Sequence, residues 1–415
     1  MSKKASTSSK NPFSDLTDDL LRHVVSFLPP EDVLQTCVLD TRWRDHWRRT
    51  TDLLHDFDEA GFPSSDRFKQ LVKLFIHLRG NSPLDKYEIY ACRDEDGQWE
   101  GTYTNTMLLV EYALKCQVKE LLVAADYIED YLPVFDMPLI SQRLKTIHLV
   151  KVYLEHPALN FSCCPVLEDL KMEQCRIHAR KISSKSLKRL CITYLCSFSW
   201  QYHTRIFAPA LTELQLNHFE GFPPFLEYMP FLVTAYVGLN DEFPDFCHKN
   251  HHSCGCHGYP VEEAVFLNGL SNAVNLELIS ESEMSVRFIY RRDLEWCPIF
   301  DKLKTLLLNG WFRAADLVCI LQHSPILETL TLQLGDMKNL IKPTEVQETT
   351  EQPCVCAHLK VVNIECSKVD EGTHTILKIL MTCGILRDSI NINARSAHLL
   401  CFSFQKGRED ILSFY

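Results

Sequence analysis

Glycine is scarce in this 415-residue chain, with 14 residues in all, and none falls in a G-x-x-x-x-G-K-[ST] or a dinucleotide-type fingerprint. Loops that cradle phosphates with backbone N–H groups are therefore not expected. G-x-S-x-G and H-E-x-x-H are missing as well, so neither a nucleophile elbow nor a helical zinc-protease pair is on offer, and intrinsic catalysis is not expected. Basic residues are outnumbered, 43 Lys and Arg against 54 Asp and Glu for a net charge of -11, which argues against bulk nucleic-acid binding. The cluster Arg42, Arg44, Arg48 and Arg49 is interleaved with Asp40, Asp45 and Asp52 and reads as a solvated helix face. No apolar run is long enough to span a bilayer, no signal peptide is evident, and the 18 cysteines follow no short secreted framework. A reducing compartment, cytoplasmic and/or nuclear and away from membranes, is expected, with most thiols free.

Apolar residues make up 46 % of the chain, enough for a large core in two or three domains. Residues 1–10, MSKKASTSSK, are polar and read as a disordered tail. From Asn11 to Asp56 the pattern is helical. Leu16, Leu20, Val24 and Leu28 recur at about helical spacing, Pro29-Pro30 stops the run, a second apolar set follows at Val33, Leu34, Val38 and Leu39, and Trp43 and Trp47 stand one turn apart. These side chains exceed what so small a module can bury, so some must face a partner.

The arrangement resembles the F-box of plant proteins, whose usual form is L-P-x-D-L-L, then S-F-L-P, D-x-x-x-T-x-V-L and R-W-R-x-x-W. Here Leu16, Asp19-Leu20-Leu21, Ser26-Phe27-Leu28-Pro29, Asp32, Thr36-Cys37-Val38-Leu39, Arg42-Trp43-Arg44 and Trp47 stand in register. The proline after the first leucine is replaced by Thr17, which can cap the helix while Asp18 and Asp19 complement its dipole. The resemblance implies a three-helix module that docks on a Skp-type adaptor through Leu16, Thr17, Leu20, Leu28, Pro29, Val33 and Trp43.

Beyond a helix expected over Asp66–Arg79, ended by Gly80, a unit of the form apolar-x-x-apolar-x-apolar recurs at intervals of mostly twenty to thirty residues. It begins at Leu84, Val118, Leu144, Leu167, Leu187, Leu211, Leu232, Ala273, Leu303, Leu327 and Leu359. This is the signature of a leucine-rich repeat solenoid, so the fold class expected is α/β: an F-box at 11–56, then an irregular solenoid at 57–352 with a parallel sheet on its concave face. The asparagine that many such repeats place after the strand is mostly replaced, by Cys175, Leu195, Phe219 and Trp311, which leaves the usual backbone ladder without its donor. Residues 353–415 are expected to cap the solenoid. There His358-Leu359-Lys360, Val369-Asp370-Glu371-Gly372 and Ile376-Leu377-Lys378-Ile379-Leu380, in a strand-helix-strand order, resemble the FBD-type region that accompanies many plant F-box proteins.

A loop expected at 240–260 carries Cys247, His248, His251, His252, Cys254, Cys256 and His257. Cys247, His251, Cys254 and Cys256 would suffice for one tetrahedral zinc ion, yet Cys-x-Cys within a single loop is not the paired-knuckle spacing of structural sites, so no metal or other cofactor is expected. The acidic stretch Asp126, Glu129, Asp130 and Asp136 is broken up by Tyr127, Ile128, Tyr131, Leu132 and Phe135 and reads as an amphipathic surface rather than an acid and base pair.

The resemblance implies a non-catalytic specificity subunit of a cullin-RING ubiquitin ligase, with the solenoid holding an unidentified protein substrate. In each repeat the first, fourth and sixth places point inward, so the third, fifth and seventh should line the concave sheet. That rule selects Asp169, Lys171 and Glu173, then Arg189, Cys191 and Thr193, then Glu213, Gln215 and Asn217, then Thr234, Tyr236 and Gly238. Two alternatives stay open: an F-box scaffold that does not promote degradation, and a receptor that takes a small molecule on the concave face.

Overall fold

A computed structural model describes residues 16–25, 46–56, 65–91, 100–125, 134–135, 137–155, 159–239, 266–280, 287–334, 356 and 358–394. The chain divides into two compact units near residue 232. Among the described residues, each of the eleven apolar units opens a strand two residues after its first member, and the inward places are the core. Leu167, Leu170 and Met172, or Leu303, Leu306 and Leu308, are at most 1 % exposed.

In the first unit the main strands are β1 (Asp52–Asp56), β2 (Lys86–Ala91), β3 (Glu120–Ala125), β5 (Thr146–Val150), β7 (Asp169–Glu173), β10 (Arg189–Thr193) and β13 (Glu213–Glu220). They pair in chain order and all in parallel. A second parallel ladder of shorter strands runs through β4 (Val134–Phe135), β6 (Tyr153–Glu155), β8 (Arg176–His178) and β11 (Cys196–Phe198) to the far end of β13. A third joins β9 (Lys181–Ser183), β12 (Arg205–Phe207) and β14 (Phe225–Leu226). The corner between the first two ladders takes left-handed backbone without glycine: Lys151, Gln174, Tyr194 and His218, each seven residues after its repeat begins, have φ of 48° to 54°.

The carbonyls an asparagine would satisfy meet other donors. Cys175 Sγ lies 3.3 Å from Leu149 O, Cys196 Sγ lies 3.4 Å from Met172 O, and in the second unit Trp311 Nε1 donates to Leu278 O at 3.0 Å. In the repeat that begins at Leu187 the inward place falls on Cys196, not on the expected Leu195, which turns outward at φ 61° and is 56 % exposed. A thiol is a weak donor, so the cysteine bonds contribute less each than an amide would, but both sulfurs are small enough to sit wholly inside.

Before this ladder, the helix Ser65–Arg79 ends at Gly80, whose φ of +68° suits a helix terminus. It packs with a second helix, Glu100–Lys115. Phe75 of the first meets Tyr112 of the second edge-on at 6.3 Å between ring centroids.

The second unit stacks β15 (Thr234–Leu239), β16 (Asn275–Ser280), β17 (Thr305–Asn309), β18 (Thr329–Leu334), β19 (Val361–Cys366) and β20 (Ile390–Ala394), again in parallel and in chain order. Helices Arg287–Leu294, Ala314–Gln322 and Glu371–Thr382 stand between successive strands. The spacing explains them: Leu317, Ile320 and Leu321 on one, and Thr373, Ile376, Ile379 and Leu380 on another, form buried stripes. Asp370 caps the last helix by accepting from Thr373 N at 2.9 Å, and Gly384 at φ +82° follows its end. Residues 358–394 thus run strand, helix, strand, as their pattern implies.

Candidate functional site: an exposed N-terminal helix and a charged sheet face

The helix Asp18–Val25 carries Asp18 and Asp19 in its first turn. Thr17 caps it, its Oγ1 accepting from Leu20 N at 3.4 Å and its carbonyl from Leu21 N at 3.0 Å. The helix divides sharply by face. Leu21 is 1 % exposed, whereas Leu20 and Val24, four residues apart and so on one side, are 49 % and 41 % exposed. Leu16 is half-buried and Thr17 exposed. Val24 joins Leu20 on the open face although the motif comparison does not single it out; its place four residues on was the available signal. Leu28, Pro29, Val33 and Trp43 lie outside the described residues.

The segment is fastened to neighbouring elements of the first unit. His46 Nε2 stands 3.4 Å from Asp18 Oδ1, and Trp47, 2 % exposed, meets Phe75 of the Ser65–Arg79 helix in a tilted ring contact at 5.6 Å between centroids. Three residues after the 3-10 turn Trp47–Arg49 the chain enters β1. Arg79, 3 % exposed, closes this junction. Its Nη2 donates to Thr50 O at 2.7 Å, and its Nη1 to Ser82 O and Tyr112 Oη, both at 2.8 Å. His55 of β1 is buried beside it, and that burial, reinforced by the Arg79 charge, lowers its pKa to about 3, so the imidazole is neutral.

On the sheet face of the first unit the expected residues form aligned rows. Asp169, Arg189 and Glu213 are cross-strand neighbours, as are Lys171, Cys191 and Gln215. Most of the charge is already matched. Arg189 makes a two-point ion pair with Asp169, which raises its own pKa, and Lys171 Nζ lies 2.6 Å from Glu173 Oε1. His148 of β5 adds a contact of 3.2 Å to Glu173 Oε2. Burial pushes the Glu173 carboxyl up, but the hydrogen bonds from His148 and Lys171 outweigh it and hold the carboxyl below the usual range. The face therefore extends at least to β5, and the expected set omitted His148. Cys191 Sγ lies 3.4 Å from Gln215 Oε1, and burial pushes its thiol up to about 11.

Three expectations need correction. Thr193 is 3 % exposed, Tyr236 on β15, in register with Glu277 of β16, is 6 % exposed, and Gly238 is buried. Alternation assigns a side of the sheet but not what covers it, so a seventh or fifth place can still be core. Cys247, His251, Cys254 and Cys256 lie outside the described residues, as do Asp126, Glu129, Asp130 and Asp136.

Comparison with known proteins agrees with these features. Residues 13–52 match the model of the F-box domain. An F-box/FBD/LRR-repeat protein of Arabidopsis thaliana is 25% identical over 90% of this chain and 86% of its own length. The rice protein MEIOTIC F-BOX protein MOF is 25% identical over 88% of this chain and 82% of its own. A putative FBD-associated F-box protein of Arabidopsis thaliana is 30% identical over 49% of this chain, and this match spans about half of that relative, 54%. Among the described residues no helix is long and apolar enough to cross a membrane. Similarity thus reaches along nine-tenths of the chain to a plant protein named for all three parts, F-box, FBD and LRR repeat, and the F-box domain itself is matched at residues 13–52.

Proposed function

We propose that this chain is the substrate-recognition subunit of an SCF-type cullin-RING ubiquitin ligase. Its F-box docks on a Skp-type adaptor, and the parallel strands behind it form a leucine-rich solenoid, closed by the FBD-type region, that holds the protein to be ubiquitinated. The observation that carries this reading is the split of the Asp18–Val25 helix: inside a segment matched to the F-box domain, Leu20 and Val24 are open while Leu21 and Trp47 are committed to the interior. The chain needs no reactive group for this role. Holding a target lysine near a conjugating enzyme supplied by other subunits raises its effective concentration, and positioning alone accelerates the transfer.

Burying a leucine or valine is worth about 1.5 to 3 kcal/mol, so two charged replacements on the open face should abolish docking. The variant Leu20→Lys with Val24→Lys leaves the core side of the helix intact. It should lose capture by a purified Skp-type adaptor while its thermal unfolding stays close to wild type. Wild-type capture by this variant would overturn the reading.

A further inference from the structure

In the second unit, two cysteines and a histidine from separate elements meet outside everything assigned above. The helix Arg287–Leu294 runs into a turn in which Glu295 N donates to Arg292 O and Trp296 N to Asp293 O, and this turn presents Cys297. The chain is then tied to the next helix, since Phe300 N donates to His323 O at 2.8 Å. That next helix, Ala314–Gln322, with His323 at its C-terminal boundary, places Cys319 and His323 four residues apart on one face. The ligand atoms of Cys297, Cys319 and His323 all lie within 4.8 Å of one another, with Cys319 Sγ 3.9 Å from His323 Nδ1. All three side chains are half-buried, hence reachable from solvent.

These separations are close to those a zinc ion demands. Bond lengths of about 2.3 Å to sulfur and about 2.0 Å to nitrogen, in tetrahedral geometry, set ligand atoms roughly 3.5 to 3.8 Å apart, so small rotamer adjustments suffice. What the three atoms do now is easily given up. The thiols are hydrogen-bonded to each other and otherwise make long contacts, Cys297 to Pro298 O and Cys319 to Leu294 O at 3.7 Å and Cys319 to His323 Nδ1 at 3.9 Å, while His323 Nδ1 stands 2.8 Å from Cys319 O. The nearest carboxylates are engaged elsewhere: Asp293 accepts from Phe266 N and Leu267 N, and Asp316 is held by Arg313. The donor set is thus two sulfurs and one imidazole nitrogen, which favours zinc over magnesium or calcium.

We propose that Cys297, Cys319 and His323 form a zinc site that clamps the turn after one helix to the end of the next and keeps a fourth position for water. Binding releases the thiol protons and replaces the hydrogen bonds at His323. The site is independent of the Cys247–Cys256 segment and of the ligase reading.

The test uses the full chain in reductant. With the wild-type protein, zinc should slow alkylation of both Cys297 and Cys319 by about tenfold or more as mapped by mass spectrometry, because a metal-bound thiolate is withdrawn from reaction. Cobalt(II) should give a thiolate-to-metal charge-transfer band that survives joint replacement of Cys247, Cys254 and Cys256 by serine and His251 by asparagine. The same band should be lost in Cys297→Ser and in Cys319→Ser. Changing a group that merely orients a ligand costs 10- to 100-fold in affinity, so His323→Gln should weaken cobalt binding by at least about tenfold. Unchanged alkylation of either Cys297 or Cys319 in zinc, or a band that follows the 247–256 replacements instead, would overturn the proposal; the alkylation arm requires no variant to fold.

Discussion

His55 Nδ1 and Tyr87 Oη share a hydrogen bond of 2.8 Å at the start of the sheet, with Phe75 packed edge-on against the imidazole at 4.8 Å. Because His55 titrates near 6.5 when unfolded and at about 3 in the fold, the unfolded state binds the extra proton as pH falls between these values. Stability from this group is complete above 6.5 and declines on acidification. At pH 5 the loss should be about 2 kcal/mol. Urea midpoints at pH 7 and pH 5 check it: His55→Gln, which keeps a polar partner for Tyr87 but does not titrate, should show a visibly smaller fall than wild type.

Gly221 sits at φ +84°, and a Cβ there would come within 2.2 Å of Phe198 O, a backbone atom that cannot swing aside. Gly221→Ala should therefore cost more than the roughly 1 kcal/mol of a left-handed alanine alone, on the order of 3 kcal/mol. Gly80, at φ +68° with nothing within 4 Å of its virtual Cβ, supplies the control. Denaturation midpoints of Gly80→Ala and Gly221→Ala should fall in that order of severity, and equal midpoints would contradict the steric account.

Trp311 substitutes for a repeat asparagine and also fills space, at 1 % exposure and 4.5 Å from the Tyr290 ring. Trp311→Phe removes the donor to Leu278 O and part of the volume, so a loss of about 2 to 4 kcal/mol is expected. Trp311→Asn tests the division of labour: it restores an amide donor without the bulk, and it should be no more stable than Trp311→Phe if packing dominates. Chemical unfolding of both variants decides the point.

Lys171 and Arg189 are partly exposed and paired across solvent, so replacing both by alanine should cost no more than about 1 kcal/mol. Under the proposed function, target capture should drop about tenfold or more, equivalent to about 1.4 kcal/mol, with adaptor binding unchanged. Tyr236 is excluded from this variant because its removal would open the core. Capture at the wild-type level would move the recognition surface off these rows.

The leucine period placed the eleven repeat strands to within two residues of their observed starts, since each inward triplet needs a partner on either side and only one register buries them all. β1 escaped because Asp52–Asp56 has no apolar residue two places ahead of it and sits inside a helical motif. The outer ladders escaped because strands of two or three residues, such as Arg176–His178 and Val134–Phe135, are shorter than any alternation that could announce them. The leucines of the F-box pattern were readable from the motif, but their division into open and buried faces needed the helix. Arg79 was legible only as the end of a helix; besides the nearby Ser82 O it gathers Thr50 O and Tyr112 Oη, which lie 29 and 33 residues away in the chain. Cys297 and Cys319 have 21 residues between them, and only Cys319-x-x-x-His323 hinted at a shared face.

The buried contact of Trp47 with Phe75 ties the F-box segment down five residues before β1, which begins at Asp52. Every later strand of the first unit is then a graduation on a ruler whose zero is fixed at Trp47. Parallel neighbours are spaced by about 4.8 Å, so a ligand seated on β7 lies roughly 19 Å along the sheet from β1, and one seated on β13 roughly 29 Å. Under the proposed function, adding or deleting one whole repeat between them would shift a bound target by a single graduation without touching either the strand it sits on or the residues that anchor the ruler.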